Sequence, residues 1–128
     1  MAFIYYNSNP KQKIVGDCTI RAISLLTDQD WIETSIGLAL TSILECDMPS
    51  SNAVWSKYLF ENGYVSYAIP NTCPYCYTVR DFCKDHPIGK FLLATGKHVV
   101  TVIDRDYYDT WDSGDQVPIY YWLKGGEC

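Results

Sequence analysis

The chain has no basic run, no long apolar stretch and only modest charge, and each absence removes a class of function. Lys and Arg number 10 against 15 Asp and Glu, a formal charge of −5. Nothing in that balance can displace counterions from phosphates, so nucleic acid and anionic membrane are not expected partners. The longest strongly apolar stretch, Ile36 to Leu44, is interrupted by Gly37, Thr41 and Ser42 and falls well short of the ~18 residues that span a bilayer. Residues Met1 to Pro10 lack the basic and then apolar segments of a secretory signal, so a cytoplasmic location is expected. No Gly-x-Gly-x-x-Gly or Walker pattern occurs, and no cofactor is expected. Cysteine is too sparse for a disulfide scaffold: Cys18, Cys46, Cys73, Cys76, Cys83 and Cys128 are read as reduced thiols.

What is present suits one folded domain spanning residues 1–128, with 48% hydrophobic and 20% charged residues. Tyr occurs 11 times, more than a core of this size needs, so some tyrosines are expected at a contact surface.

Apolar spacing predicts helices in the front half. Ile20, Ile23 and Leu26 share a face of a helix from Cys18 to Thr27, with Asp17 or its neighbour as cap. A second helix is expected over about Gln29 to Glu45, carrying a stripe of Ile32, Ile36, Leu40 and Ile43. Ser51 is expected to cap a third helix bearing Val54, Trp55, Tyr58 and Leu59, and Asn62-Gly63 to stop it. Alternation then predicts a strand around Val65 to Ile69. Thr78 and Asp81 resemble a capping box for a short helix, Val79 to Asp85, ended by Pro87. Strands are expected over Phe91–Thr95, His98–Ile103 and Tyr107–Trp111, and an edge strand over Pro118–Leu123. Trp31, Trp55, Trp111 and Trp122 fall at apolar-periodic positions and are read as core. Helices followed by an antiparallel sheet make an α+β architecture.

Cys18 stands where an irregular stretch becomes a helix, and the exposed N–H groups and positive end of a helix favour thiolate over thiol. Taken alone it would more often be a small buried hydrophobe. His98 opens a β-branched strand that has no packing need for an imidazole, and the following Tyr107–Trp111 strand carries Asp109. Cys, then His, then Asp is the nucleophile, base and orienter set of thiol hydrolysis. With Arg105-Asp106 as a two-residue loop, Asp109 comes opposite Val102 and shares a face with His98; a three-residue loop instead sets Asp112 opposite His98.

With these residues in place the chain resembles papain-like cysteine hydrolases, whose Cys starts a helix and whose His and Asn or Asp follow on antiparallel strands. Gly16-Asp17-Cys18-Thr19-Ile20-Arg21-Ala22 is similar to the cysteine loop of ovarian-tumour-type deubiquitinases, although Val15 stands where those enzymes carry Asp. Tyr107-Tyr108-Asp109-Thr110 resembles the stretch that carries the third catalytic residue in SUMO proteases and bacterial effector proteases. Overall the chain is similar to small papain-fold proteins of bacteria and their phages, through G-D-C-x-x-R-A early and H-V-V-x-V-I-D and Y-D-T-W-D late. The resemblance implies a papain-like fold, its N-terminal helices packed on a C-terminal antiparallel sheet, with Cys18, His98 and Asp109 catalytic and an acyl-enzyme formed on a protein or peptide substrate. It also implies an oxyanion-hole amide, for which Gln12 lies at the family's distance before Cys18 and Asn9 competes.

Two other functions compete with a peptidase or isopeptidase: an inactive papain-fold module binding a protein, such as a phage factor on a host component, and a cell-wall peptide amidase of the NlpC type, which the Asp17-Cys18 pair resembles. Cys73, Cys76, Cys83 and His86 could be read as a zinc set, but Cys83 also belongs with Val79 and Phe82 on a buried helix face, and no metal is expected.

Overall fold

The strand residues at 91–94, 99–102 and 122–123 alternate between two apolar faces, and each face finds its own helical cover. In the computed structural model of the protein, residues 2–70 and 72–126 are described; Cys128, counted above among the thiols, lies outside them. The elements run β1 (Phe3–Tyr5), α1 (Cys18–Thr27), α2 (Trp31–Glu45), α3 (Asn52–Glu61), β2 (Tyr64–Ala68), α4 (Val79–Asp85), β3 (Lys90–Ala94), β4 (Val99–Ile103), β5 (Asp106–Asp109) and β6 (Tyr120–Lys124). They form an α+β fold around a six-stranded sheet in the order β1-β5-β4-β3-β6-β2.

One core cluster lies under the first three helices. Ile23 and Leu26 of α1, Leu38 of α2, and Trp55 and Leu59 of α3 pack against Leu92, Ala94, Val99 and Trp122. The other lies under α4, where Val79, Phe82 and Cys83 meet Phe91, Leu93, Val100, Val102 and Leu123. With both faces covered, the central strands read as nearly unbroken apolar runs. The capping box at α4 is formed: Thr78 Oγ1 accepts from the Asp81 N–H, and Asp81 Oδ2 accepts from the Thr78 N–H.

Several expectations need correction. The sheet is mixed, because β1, which no periodicity signalled, pairs in parallel with β5. The last strand is no edge: β6 lies between β3 and β2, and Pro118 falls before its first residue, where a missing N–H costs no ladder bond. Neither Asp17 nor Ser51 caps its helix through the side chain. Trp111 is 44% exposed and so not core.

The largest departure is α2. Its stripe of Ile32, Ile36, Leu40 and Ile43 faces outward, while Thr34, Leu38, Thr41 and Ser42 are buried. The inward hydroxyls can be buried because each is satisfied by its own helix: Thr34 donates to Asp30 O at 2.9 Å, Thr41 to Gly37 O at 3.0 Å and Ser42 to Ala39 O at 2.7 Å. Gly37 admits α3, since a Cβ there would stand 2.5 Å from Tyr58 Cε1.

The β4–β5 turn is also shifted from both expected loops. Ile103 pairs with Asp106, so the two turn residues are Asp104 and Arg105, with φ of 46° and 80°. Two successive left-handed residues match the twist of a two-residue hairpin, although neither is glycine. The Asp104 side chain anchors the turn by accepting from the Gly89 N–H at 2.9 Å. Continued one step, this register sets Asp109 opposite Val100, nearer to His98 than either loop predicted.

Candidate active site

Three elements meet at one end of the central strands: the start of α1, the β3–β4 turn and the end of β5. Cys18 is the first residue of α1, whose position over the sheet is secured by a bond from Thr101 Oγ1 on β4 to Ala22 O at 2.6 Å. His98 is held by its hairpin, where its N–H donates to Thr95 Oγ1 at 3.1 Å and its carbonyl accepts from the Thr95 N–H at 2.9 Å. Gly96, at φ 98°, supplies the left-handed residue of that turn. Asp109 closes β5 and is buried.

These side chains form a continuous chain of hydrogen bonds. His98 Nε2 lies 2.5 Å from Asp109 Oδ2, which leaves the Nδ1 edge of the ring for the bond with the Cys18 thiol. Asp109 is held from further directions: Ser113 Oγ donates to Oδ2 at 2.7 Å, and the Thr110 N–H and Arg21 Nη2 donate to Oδ1 at 2.8 and 3.2 Å. Arg21 also pairs with Asp17 Oδ1, and Trp31 Nε1 donates to Asp17 Oδ2 at 2.9 Å. The Trp111 ring lies 4.8 Å from the His98 ring, centroid to centroid.

The electrostatics follow from this packing. Burial opposes ionisation of Cys18 but is outweighed by bonds from His98 and the Val99 N–H and by the charges of His98 and Arg21, so the thiol is shifted down. Burial likewise opposes the imidazolium, yet the bonds to Asp109 and Cys18 push His98 up to about 9. Asp109 is shifted down: its burial is more than offset by His98, Ser113 and the Thr110 N–H. Each shift favours a thiolate, imidazolium and carboxylate in line at neutral pH.

Cys18 and His98 open on a cavity of about 340 Å³ whose wall includes Gly16, Thr19, Asn52, Trp55, Gly96 and Lys97. Asn52 Oδ1 accepts from Trp55 Nε1 at 2.9 Å, a donor that can only be met by the oxygen, so the Asn52 amide nitrogen remains for another acceptor. The Asp17 side chain does not cap α1, which leaves the first N–H groups of the helix beside Cys18. The amide expected from the resemblance is elsewhere. Gln12 is exposed at φ 54° and donates to Asn7 O at 3.3 Å and Asn9 O at 3.0 Å, while Asn9 Oδ1 accepts from the Lys11 N–H.

Asp112 stands apart from His98. It accepts from Tyr107 Oη at 2.5 Å and pairs with Arg80 at 3.2 Å. The residues considered for zinc do not converge: Cys83 is buried in the core, Cys73 and Cys76 are exposed, and His86 stacks on Phe82 and faces its carbonyl through Nδ1 at 2.8 Å. Among the described residues no cluster of His, Cys, Asp or Glu could hold a metal ion. Arg21, Ser113, Asn52 and Trp111 were missed as site residues. Only Arg21 carried a local signal, its i,i+4 spacing from Asp17.

No protein-family model, curated protein or solved structure matches this chain. No helix among the described residues is long and apolar enough to cross a membrane.

Proposed function

We propose that the protein is a papain-like cysteine hydrolase acting on amide bonds of a protein or peptide, with Cys18, His98 and Asp109 as its catalytic residues. The observation that carries this reading is the unbroken chain from the Cys18 thiol through His98 to buried Asp109, at an open cavity and an uncapped helix start.

In this reaction the Cys18 thiolate attacks the substrate carbonyl carbon and a C–S bond forms. The oxygen that takes up the negative charge is met by the first N–H groups of α1 and the Asn52 amide, in place of Gln12. As the tetrahedral species collapses, the C–N bond breaks and the His98 imidazolium gives its Nδ1 proton to the leaving amine. Water then attacks the thioester, giving its proton back to His98 and releasing the acid and the thiolate. Asp109 keeps the imidazole in the tautomer and orientation this needs.

The test is iodoacetamide labelling near pH 6 with site mapping by mass spectrometry, where ordinary thiols are protonated and slow. Cys18 labels first, and His98→Ala slows it by orders of magnitude. Labelling of Cys18 no faster than exposed Cys46, or indifference to His98→Ala, defeats the hydrolase reading; a protein-binding module on the same scaffold needs no activated thiol.

A further inference from the structure

The outward face of α2 is the least expected surface of the molecule. Ile32, Ile36, Leu40, Ile43 and Leu44 are 54, 56, 58, 70 and 83% exposed, and Met48 follows just beyond the helix. Steps of four, four and three or four residues put them on one continuous stripe. Scattered apolar side chains are ordinary on a surface, but these six present on the order of 700 Å² together, above the about 300–600 Å² of the largest patch on a typical monomer.

We infer that this stripe is a homodimer interface, in which α2 packs antiparallel against α2 of a second copy of the chain. The spacing is self-complementary, as a two-fold contact requires. About an axis at the level of Leu38, Ile32 of one chain meets Leu44 of the other, and Ile36 meets Leu40; the remaining two pairs follow by symmetry. The area is close to the about 800 Å² that each partner contributes to a stable interface of standard size. Glu33 borders the stripe at its N-terminal end, and the same register sets it beside Ile43 of the other copy. Antiparallel packing brings the Lys57–Glu45 pair at the end of one α2 to the end where the other carries Glu33. A lipid surface suits it less, because α2 has no Lys or Arg to meet anionic headgroups.

The experiment is sedimentation equilibrium on the whole chain at micromolar concentrations, with phosphatidylcholine vesicle flotation run alongside. The wild type sediments at twice the chain mass, and the paired substitutions Ile36→Glu and Leu40→Glu give a monomer with an unchanged far-ultraviolet circular dichroism spectrum. Leu40→Gln, a milder change, shifts the dimer to higher concentration without abolishing it. A wild type that stays monomeric to high micromolar concentration overturns the inference. So does a dimer untouched by both glutamates, or a monomer that floats with the vesicles.

Discussion

Arg21 joins the residue before the thiol to the carboxylate behind the imidazole: one guanidinium donates to Asp17 Oδ1 and, at 3.2 Å, to Asp109 Oδ1. Both carboxylates and the guanidinium are buried, so each charge depends on the others for compensation. Arg21 is therefore a positioning residue, setting the α1 start against the end of β5 without facing the cavity that Cys18 lines.

Removing that cation should be costly. Arg21→Ala leaves buried Asp17 without a cationic partner and removes one of the two cations beside Asp109, and a loss of roughly 3–5 kcal/mol in unfolding free energy is expected. Arg21→Lys keeps the charge but not the two-armed geometry, so it should lose less. Urea denaturation decides this, and an unchanged midpoint for Arg21→Ala would show that the cation is dispensable.

Asp109→Asn should bring the His98 pKa down from about 9 toward the ordinary 6.5, because the hydrogen bond to the carboxylate is the leading influence opposing burial. Alkylation of Cys18 near pH 6 should slow with it. Asp112→Asn should leave both unchanged, since Asp112 is bound to Tyr107 and Arg80. Titration of His98 by nuclear magnetic resonance reads the difference directly, and equal shifts in the two variants would refute the assignment.

The raised His98 pKa also sets a pH dependence of stability. The folded protein holds this proton more tightly than the unfolded chain, so the stabilisation is full below about pH 6.5 and disappears as pH rises through about 9. In a Cys18→Ala background, where no thiolate titrates in the opposite sense, unfolding free energy relative to the Cys18→Ala, His98→Gln double variant should therefore shrink across that window, by less than about 3 kcal/mol. A difference that grows with pH would reverse the sign of the argument.

Trp111 offers the opposite balance of stability and chemistry. Its ring lies against His98 yet is 44% exposed, so Trp111→Ala should cost little in thermal denaturation while removing a face that shields and attracts the imidazolium. A lowered His98 pKa and several-fold slower Cys18 labelling at pH 6 are expected. If melting temperature falls sharply and labelling does not change, the ring is structural only.

Local chemistry by itself determined much of this molecule. The spacing of Ile20, Ile23 and Leu26 marked α1 from Cys18 to Thr27, and Thr78 with Asp81 marked α4 from Val79 to Asp85, because helix periods and caps are written within a few residues. The alternation of side chains placed Asp109 on the face of His98 even though the turn was misjudged: the true register differs from the expected two-residue loop by two positions, which preserves the face.

What only the tertiary structure decided is every question of which distant groups meet. Periodicity grouped Ile32, Ile36, Leu40 and Ile43 on one side of α2 but could not say that hydroxyls satisfied by their own helix would take the inside. Three residues, Phe3–Tyr5, carry too little pattern to declare a strand, and their partner β5 lies near the other end of the sequence. Arg21 reaches Asp109, and Asn52 reaches the Cys18 cavity, only because helices and strands far apart in the chain converge at one end of the central strands. Such contacts arise from packing two helical layers on a twisted sheet, and no short window of residues encodes them.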